Sequence, residues 1–123
     1  MAGQNHHFSQ YAPQRIPYAI DRYVNETHRL YGVLNRQLER EQAAGKQYIC
    51  GDYSIVDMAV YPWTHSYKKQ RQRLDDFPSL KDWFVRMSER PAVIKAYDIA
   101  SDINAHSAVG RADNNILFGQ RVR

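Results

Sequence analysis

The sequence holds a single cysteine, Cys50. One thiol excludes an internal disulfide and any zinc cluster built on cysteines, and a reducing cytoplasm is the expected setting. No apolar run approaches the ~20 residues that a membrane span needs, so no membrane partner is expected. The opening residues, Met1 to Phe8, lack the basic and apolar regions of a signal peptide. No glycine-rich loop is present to cradle a phosphate, no nucleophile stands beside a base, and no spacing suits a metal. His6 and His7 are adjacent and would diverge on a helix, which leaves packing or polar surface as their role. Catalytic and metal-binding assignments are therefore none. There is no internal repeat, no low-complexity stretch and no convincing strand.

What is present is ordinary globular composition: 123 residues, 43% hydrophobic and 24% charged. That length suits one domain burying roughly two-thirds of its surface. Nine tyrosines suggest helix interfaces that are apolar at one end and wet at the other. The net charge of +4 permits anionic partners without requiring them. Its densest source is Lys68-Lys69-Gln70-Arg71-Gln72-Arg73, but Asp75 and Asp76 follow at once. A solvated basic surface is the expectation there, and no nucleic acid.

Periodicity points to an all-α bundle. Ile16, Ile20, Tyr23, Thr27, Leu30, Leu34 and Leu38 form one stripe on a helix running to about Ala44, with Pro17 in its first turn and Gly45 as its stop. Ala19, Val24, Tyr31 and Val33 widen the stripe. In the Gln47–Asp52 connector, Tyr48, Ile49 and Cys50 are expected to bury, with Cys50 a small packed hydrophobe. Ser54 then reads as the N-cap of a second helix, with Asp57 closing a capping box and Tyr53 and Met58 spaced as a hydrophobic staple. The run from Val56 to Trp63 leaves no solvated face, which predicts a helix surrounded by protein, kinked or ended early at Pro62. Leu80, Trp83, Phe84 and Met87 mark a third core stripe behind Pro78. Pro91 begins another helix, with Val93, Ala96, Tyr97 and Ala100 inward. Met1 to Pro13 shows no period, and the pattern dissolves after Ser101. Residues 104–123 read as an extension whose patch Ile116-Leu117-Phe118 is suited to docking back.

Several of these stretches carry a resemblance. Gly51-Asp52-Tyr53-Ser54-Ile55-Val56-Asp57, then Phe77-Pro78-Ser79-Leu80-Lys81-Asp82-Trp83 and Arg90-Pro91-Ala92-Val93, resemble the C-terminal helical domain of glutathione transferases. Gly3 to Phe8, Ala12-Pro13, Ile16 to Ile20 and Glu26 to Tyr31 are similar to the bacterial nu class, the glutathione-dependent disulfide-bond oxidoreductases. The resemblance covers Gly3 to about Ile103 and implies a domain over 1–103 with its first helix cut short. It implies glutathione as co-substrate, and either transferase or disulfide reductase activity. It also implies a preceding thioredoxin-like domain, to which nothing here corresponds. The chain is thus expected to be inactive alone and to bind glutathione weakly or not at all, with a homodimer or a thioredoxin-like domain as partner. A non-catalytic helical interaction module is the competing reading. By resemblance, Arg22 approaches bound glutathione, with Tyr23, His6, His7 and Phe8 toward the same cleft. On the residues alone, a surface arginine paired with Glu26 one turn on is the favoured reading of Arg22, and the resemblance brings the two readings level.

Overall fold

The computed structural model describes the backbone from Met1 to His106 and the side chains to Ser101. The expected extension lies outside the described residues beyond His106, as does the Ile116-Leu117-Phe118 patch. Among the described residues there are five α-helices and no strand: α1 (Ala2–His6), α2 (Pro17–Ala43), α3 (Ile55–His65), α4 (Pro78–Ser88) and α5 (Pro91–His106). None is long and apolar enough to cross a membrane. Met1–Ser88 form one unit, and Glu89 opens a second.

The residues before Pro13, which show no period, are helical. One turn of α1 passes into a π-helical turn, His7–Tyr11. The hidden signal is Asn5, a polar residue with no exposed surface. Its Nδ2 donates to Thr27 Oγ1 at 3.0 Å and to the Gln70 carbonyl at 2.9 Å. Those bonds span three chain segments, and no local pattern records them.

The first turn of α2 holds Pro17, and Gly45 just beyond its end adopts φ 73°, the left-handed stop that glycine takes without strain. Its buried face is Ile20, Thr27, Tyr31, Asn35 and Leu38. Leu30 is exposed, so the expected stripe is rotated. The rotation brings Asn35 inward, where its Oδ1 accepts the Leu80 N–H at 3.0 Å. Leu80 lies in the first turn of α4, so α2 satisfies one of the donors that every helix start leaves open. Ser79 donates to Gln42 Oε1 at 2.8 Å beside it. Leu38, Leu80, Trp83 and Met87 fill this seam with no exposed surface, each contributing roughly 1.5–3 kcal/mol.

The capping box of α3 forms as expected. Ser54 Oγ accepts the Val56 N–H at 3.3 Å, and Asp57 Oδ2 accepts the Ser54 N–H at 3.0 Å. Asp57 does more than cap. Its Oδ1 accepts the Ile49 N–H at 3.1 Å and the Trp83 Nε1–H at 2.8 Å. Of the two residues spaced as a staple, Met58 is exposed and Tyr53 meets Tyr48 edge-on at 5.4 Å. Cys50 is exposed too. The Tyr48–Gly51 turn, closed by a 3.1 Å bond, spends its inward position on Ile49 and leaves Cys50 at the corner. Helix α3 continues through Pro62 to His65. In α5, Val93, Tyr97 and Ala100 are half-buried while Ala96 is exposed.

The basic run is solvated at Lys68, Lys69, Arg71 and Arg73, but Gln70 and Gln72 between them are buried. Gln70 Nε2 donates to the Trp63 carbonyl at 2.9 Å, and its Oε1 accepts the Tyr31 hydroxyl at 2.9 Å. Gln72 Nε2 reaches the Val24 carbonyl at 3.1 Å.

Two measurements follow from these bonds. Ser54→Ala should cost about 1 kcal/mol, the loss of one cap. Asp57→Ala should cost at least about 3 kcal/mol, because it strands buried donors on Ile49 and Trp83 as well. The double variant should cost less than the sum, since Ser54 and Asp57 serve one box. Urea melts showing equal single losses would remove Asp57 from this role. Tyr31 supplies the second. Burial pushes its hydroxyl pKa well above the usual tyrosine range. The folded state thus retains a proton that the unfolded state releases, so its contribution is full below the ordinary tyrosine pKa and falls as pH rises through that range. Melts at alkaline pH should show this decline, and Tyr31→Phe should flatten it.

Candidate functional site

The second turn of α2 carries Arg22 with its side chain 58% exposed. Two arginines flank Glu26, and they are not equal. Arg29 holds it through Nε and Nη2 at 2.9 and 2.8 Å. Arg22 comes only to 4.0 Å. Arg29's hydrogen bond is the main reason the Glu26 carboxyl lies below its ordinary pKa; burial opposes it as the next-largest effect, and the charges of Arg29, Arg22 and the N-terminus add to the lowering. The surface pair read from sequence therefore exists only at the limit of contact. A bidentate bond to Arg29 is worth more than a long contact to Arg22, so Glu26 leaves Arg22's fork open toward solvent.

Next to Arg22, Tyr23 stacks on Phe8 with centroids 5.3 Å apart and planes 8° apart. Phe8 receives His7 edge-on at 5.0 Å. His6 turns to Tyr11 instead, at 5.2 Å. Burial first, and the Lys69 charge second, hold the His6 pKa below the usual imidazole value. The structure thus joins Tyr23, Phe8 and His7 in one aromatic group, while His6 packs on Tyr11. Among the described residues, no group of three or more His, Cys, Asp or Glu is placed to hold a metal ion.

A second surface was hidden from the sequence. Helix α3 is not enclosed. It buries Asp57, Tyr61 and Thr64, and it exposes Ile55, Met58, Ala59, Pro62 and Trp63. Those five stand at i, i+3, i+4, i+7 and i+8, one helical face. Ile55 is 78% exposed, and Met58 and Trp63 are each 51% exposed. Trp63 and Leu30 border an open hollow of about 510 Å³ with Met1 to Gln4. The Trp63 ring lies over Gly3, where an added Cβ would meet it at 3.6 Å. An apolar helix in sequence is equally an enclosed helix or one with an uncovered face, and only the packing distinguishes them.

An all-α fold organised by a capped α3 and the long α2 defines a class. The chain belongs to the glutathione S-transferase family: residues 13–91 match its C-terminal domain. It is 48% identical over 96 residues to the disulfide-bond oxidoreductase YfcG of Escherichia coli (strain K12), covering 78% of this chain and 43% of that protein. It is 37% identical over 95 residues to the disulfide-bond oxidoreductase YghU of the same organism, covering 71% and 31%. In structure it is similar to a glutathione transferase homologue from Lodderomyces elongisporus solved with two glutathione molecules per subunit. That similarity has a TM-score of 0.74 at 33% identity, over 79% of this chain and 45% of that one. The chain therefore spans less than half the length of these relatives.

The unequal contest for Glu26 is measurable. Arg29→Ala should raise the Glu26 pKa clearly, because it removes the dominant hydrogen bond, whereas Arg22→Ala should raise it only slightly. Carboxyl-detected NMR titration separates the two. Equal shifts would mean that Arg22 shares Glu26 evenly in solution.

Proposed function

We propose that this chain is the helical, substrate-side part of a cytoplasmic glutathione-dependent transferase or disulfide reductase, and that Arg22 receives a carboxylate of glutathione. The observation that carries the reading is Arg22's exposed guanidinium, which comes only to 4.0 Å from Glu26 while Arg29 holds that carboxylate at 2.8 and 2.9 Å. The Tyr23–Phe8 stack beside it supplies an apolar wall. In the reaction, the glutathione thiolate attacks one sulfur of a disulfide and displaces the other as a thiolate, or it adds to an electrophilic carbon. The thioredoxin-like part implied by the resemblance stabilises the attacking thiolate. The helical part binds and orients.

Alone, this chain should bind glutathione poorly. One charge-assisted contact contributes about 1.5–3 kcal/mol, and fixing a free tripeptide costs at least ~4 kcal/mol. Calorimetry on the 123-residue chain should show no binding tighter than about millimolar. Joined behind the amino-terminal half of the Escherichia coli relative, it should recover binding. In that fusion Arg22→Ala should weaken glutathione about tenfold or more, and Arg29→Ala should matter less. Micromolar binding by the chain alone would overturn the shared-site reading. Unchanged affinity in the Arg22→Ala fusion would return Arg22 to the surface.

A second reading has its own observation. The uncovered face of α3 suits a non-catalytic interaction module, and a homodimer through that face is its simplest form. Sedimentation of the chain should then show a dimer. Ile55→Ser with Met58→Ser should shift it to monomer, since both side chains are exposed and neither supports the core. A monomer at every concentration would sink this reading and leave the first untouched.

A further inference from the structure

We infer that Glu26 is a built-in competitor for the glutathione carboxylate at Arg22, and that Arg29 is the positioning residue that holds it off. The inference rests on the Arg22 reading above and goes beyond it, since it assigns roles to two residues outside the ligand contact. Arg22, Glu26 and Arg29 stand on α2 at i, i+4 and i+7, along one helical face. A carboxylate one turn from an arginine is within its reach. Glu26 and an arriving glutathione carboxylate would therefore use the same guanidinium.

The geometry shows how the contest is settled. Arg29 engages both oxygens of Glu26: Nε donates to Oε2 at 2.9 Å and Nη2 to Oε1 at 2.8 Å. Arg22 Nη1 approaches Oε2, to 4.0 Å. The oxygen nearest Arg22 is thus one that Arg29 Nε already occupies. Helix direction favours the same outcome. An acid followed by a base along a helix is better than the reverse order. Glu26 and Arg29 follow the better order, and Arg22 and Glu26 the poorer one. The Glu26 side chain is 17% exposed, against 58% and 60% for the two arginines. A carboxylate with so little access to water needs a charged partner, so without Arg29 it turns to Arg22 rather than to solvent.

Glu26 also acts through its charge. A carboxylate beside Arg22 repels a second carboxylate arriving there. Arg29 balances that charge from 2.8 Å, and Arg22 and the amino terminus act on Glu26 more weakly. Loss of Arg29 harms glutathione binding twice: it directs Glu26 onto Arg22, and it leaves the Glu26 charge unbalanced beside the ligand. Both effects run through Glu26, so both disappear when Glu26 loses its charge.

Two measurements test this. In the 123-residue chain, Arg22→Ala should raise the Glu26 pKa far more in the Arg29→Gln background than in the parent, because only there does Arg22 hold the carboxylate. Carboxyl-detected NMR reads that difference, and equal shifts in the two backgrounds would overturn the proposal. In the fusion behind the amino-terminal half of the Escherichia coli relative, calorimetry should show Arg29→Gln weakening glutathione about fivefold, less than Arg22→Ala does. Glu26→Gln alone should leave affinity within about twofold of the parent. Added to Arg29→Gln, it should restore affinity to within about twofold, a rescue that a merely structural arginine, or one touching glutathione itself, would not allow. The Arg29 side chain is exposed, so its variant should keep the fold, which unchanged amide dispersion verifies. If Arg22→Ala weakens glutathione while Arg29→Gln does not, or the double variant stays as weak as Arg29→Gln, the positioning role is overturned and the Arg22 reading stands. A loss of affinity in Glu26→Gln alone would likewise show Glu26 to be a support rather than a competitor. If Arg22→Ala has no effect, both readings fall.

Discussion

Taking a carboxylate out of water costs several kcal/mol unless donors fill its oxygens. The Asp57 side chain has no exposed surface, and three parts of the chain supply its donors. The Ser54 N–H comes from the start of its own helix, the Ile49 N–H from the connector before it, and the Trp83 indole from α4. Each part is thereby placed relative to the others. The connector cannot drift without stranding a buried donor, and α4 cannot rotate without withdrawing its indole. A motif that caps one helix in isolation becomes, through Trp83, the point at which the long α2–α4 seam and α3 acquire a common register.

A second polar centre does similar work at the other end of α3. The Gln70 side chain and carbonyl gather Trp63, Tyr31, Asn5 and Gln72. This ties the amino-terminal turn, the middle of α2 and the turn after α3 together without a large apolar cluster. Buried amides of this kind add little net stability per bond, but leaving any one unmade is costly. They therefore act mainly to select one arrangement. The candidate site depends on it. The Phe8–Tyr23 stack beside Arg22 lies on the segments that Asn5 joins.

Helix α3 shows how one element can serve two purposes. Its polar inward groups, Asp57 and Thr64, and the Tyr61 ring fasten it to the unit. Its apolar residues Ile55, Met58, Ala59, Pro62 and Trp63 point outward. In a monomer an exposed stripe of that kind marks a place where something else belongs. The chain spans less than half the length of its relatives, and the interaction-module reading draws on that face.

Local chemistry determined the helices and their ends. Pro17, Gly45, the Ser54–Asp57 box, Pro78 and Pro91 act within a turn of themselves, so their effects are legible in order along the chain. The family, too, rested on contiguous stretches. What the tertiary structure decided were quantities that depend on residues distant in sequence. It decided that Asn5, Gln70 and Gln72 are buried because each has a partner 22 or more positions away. It decided that Cys50 points outward because Ile49 takes the inward place. It decided that the apolar face of α3 is open, since burial is a property of neighbours and not of side chains. And it decided that Arg22 meets Glu26 only at 4.0 Å, because two arginines lie within reach of that carboxylate and only three-dimensional geometry shows that Arg29 holds it more closely.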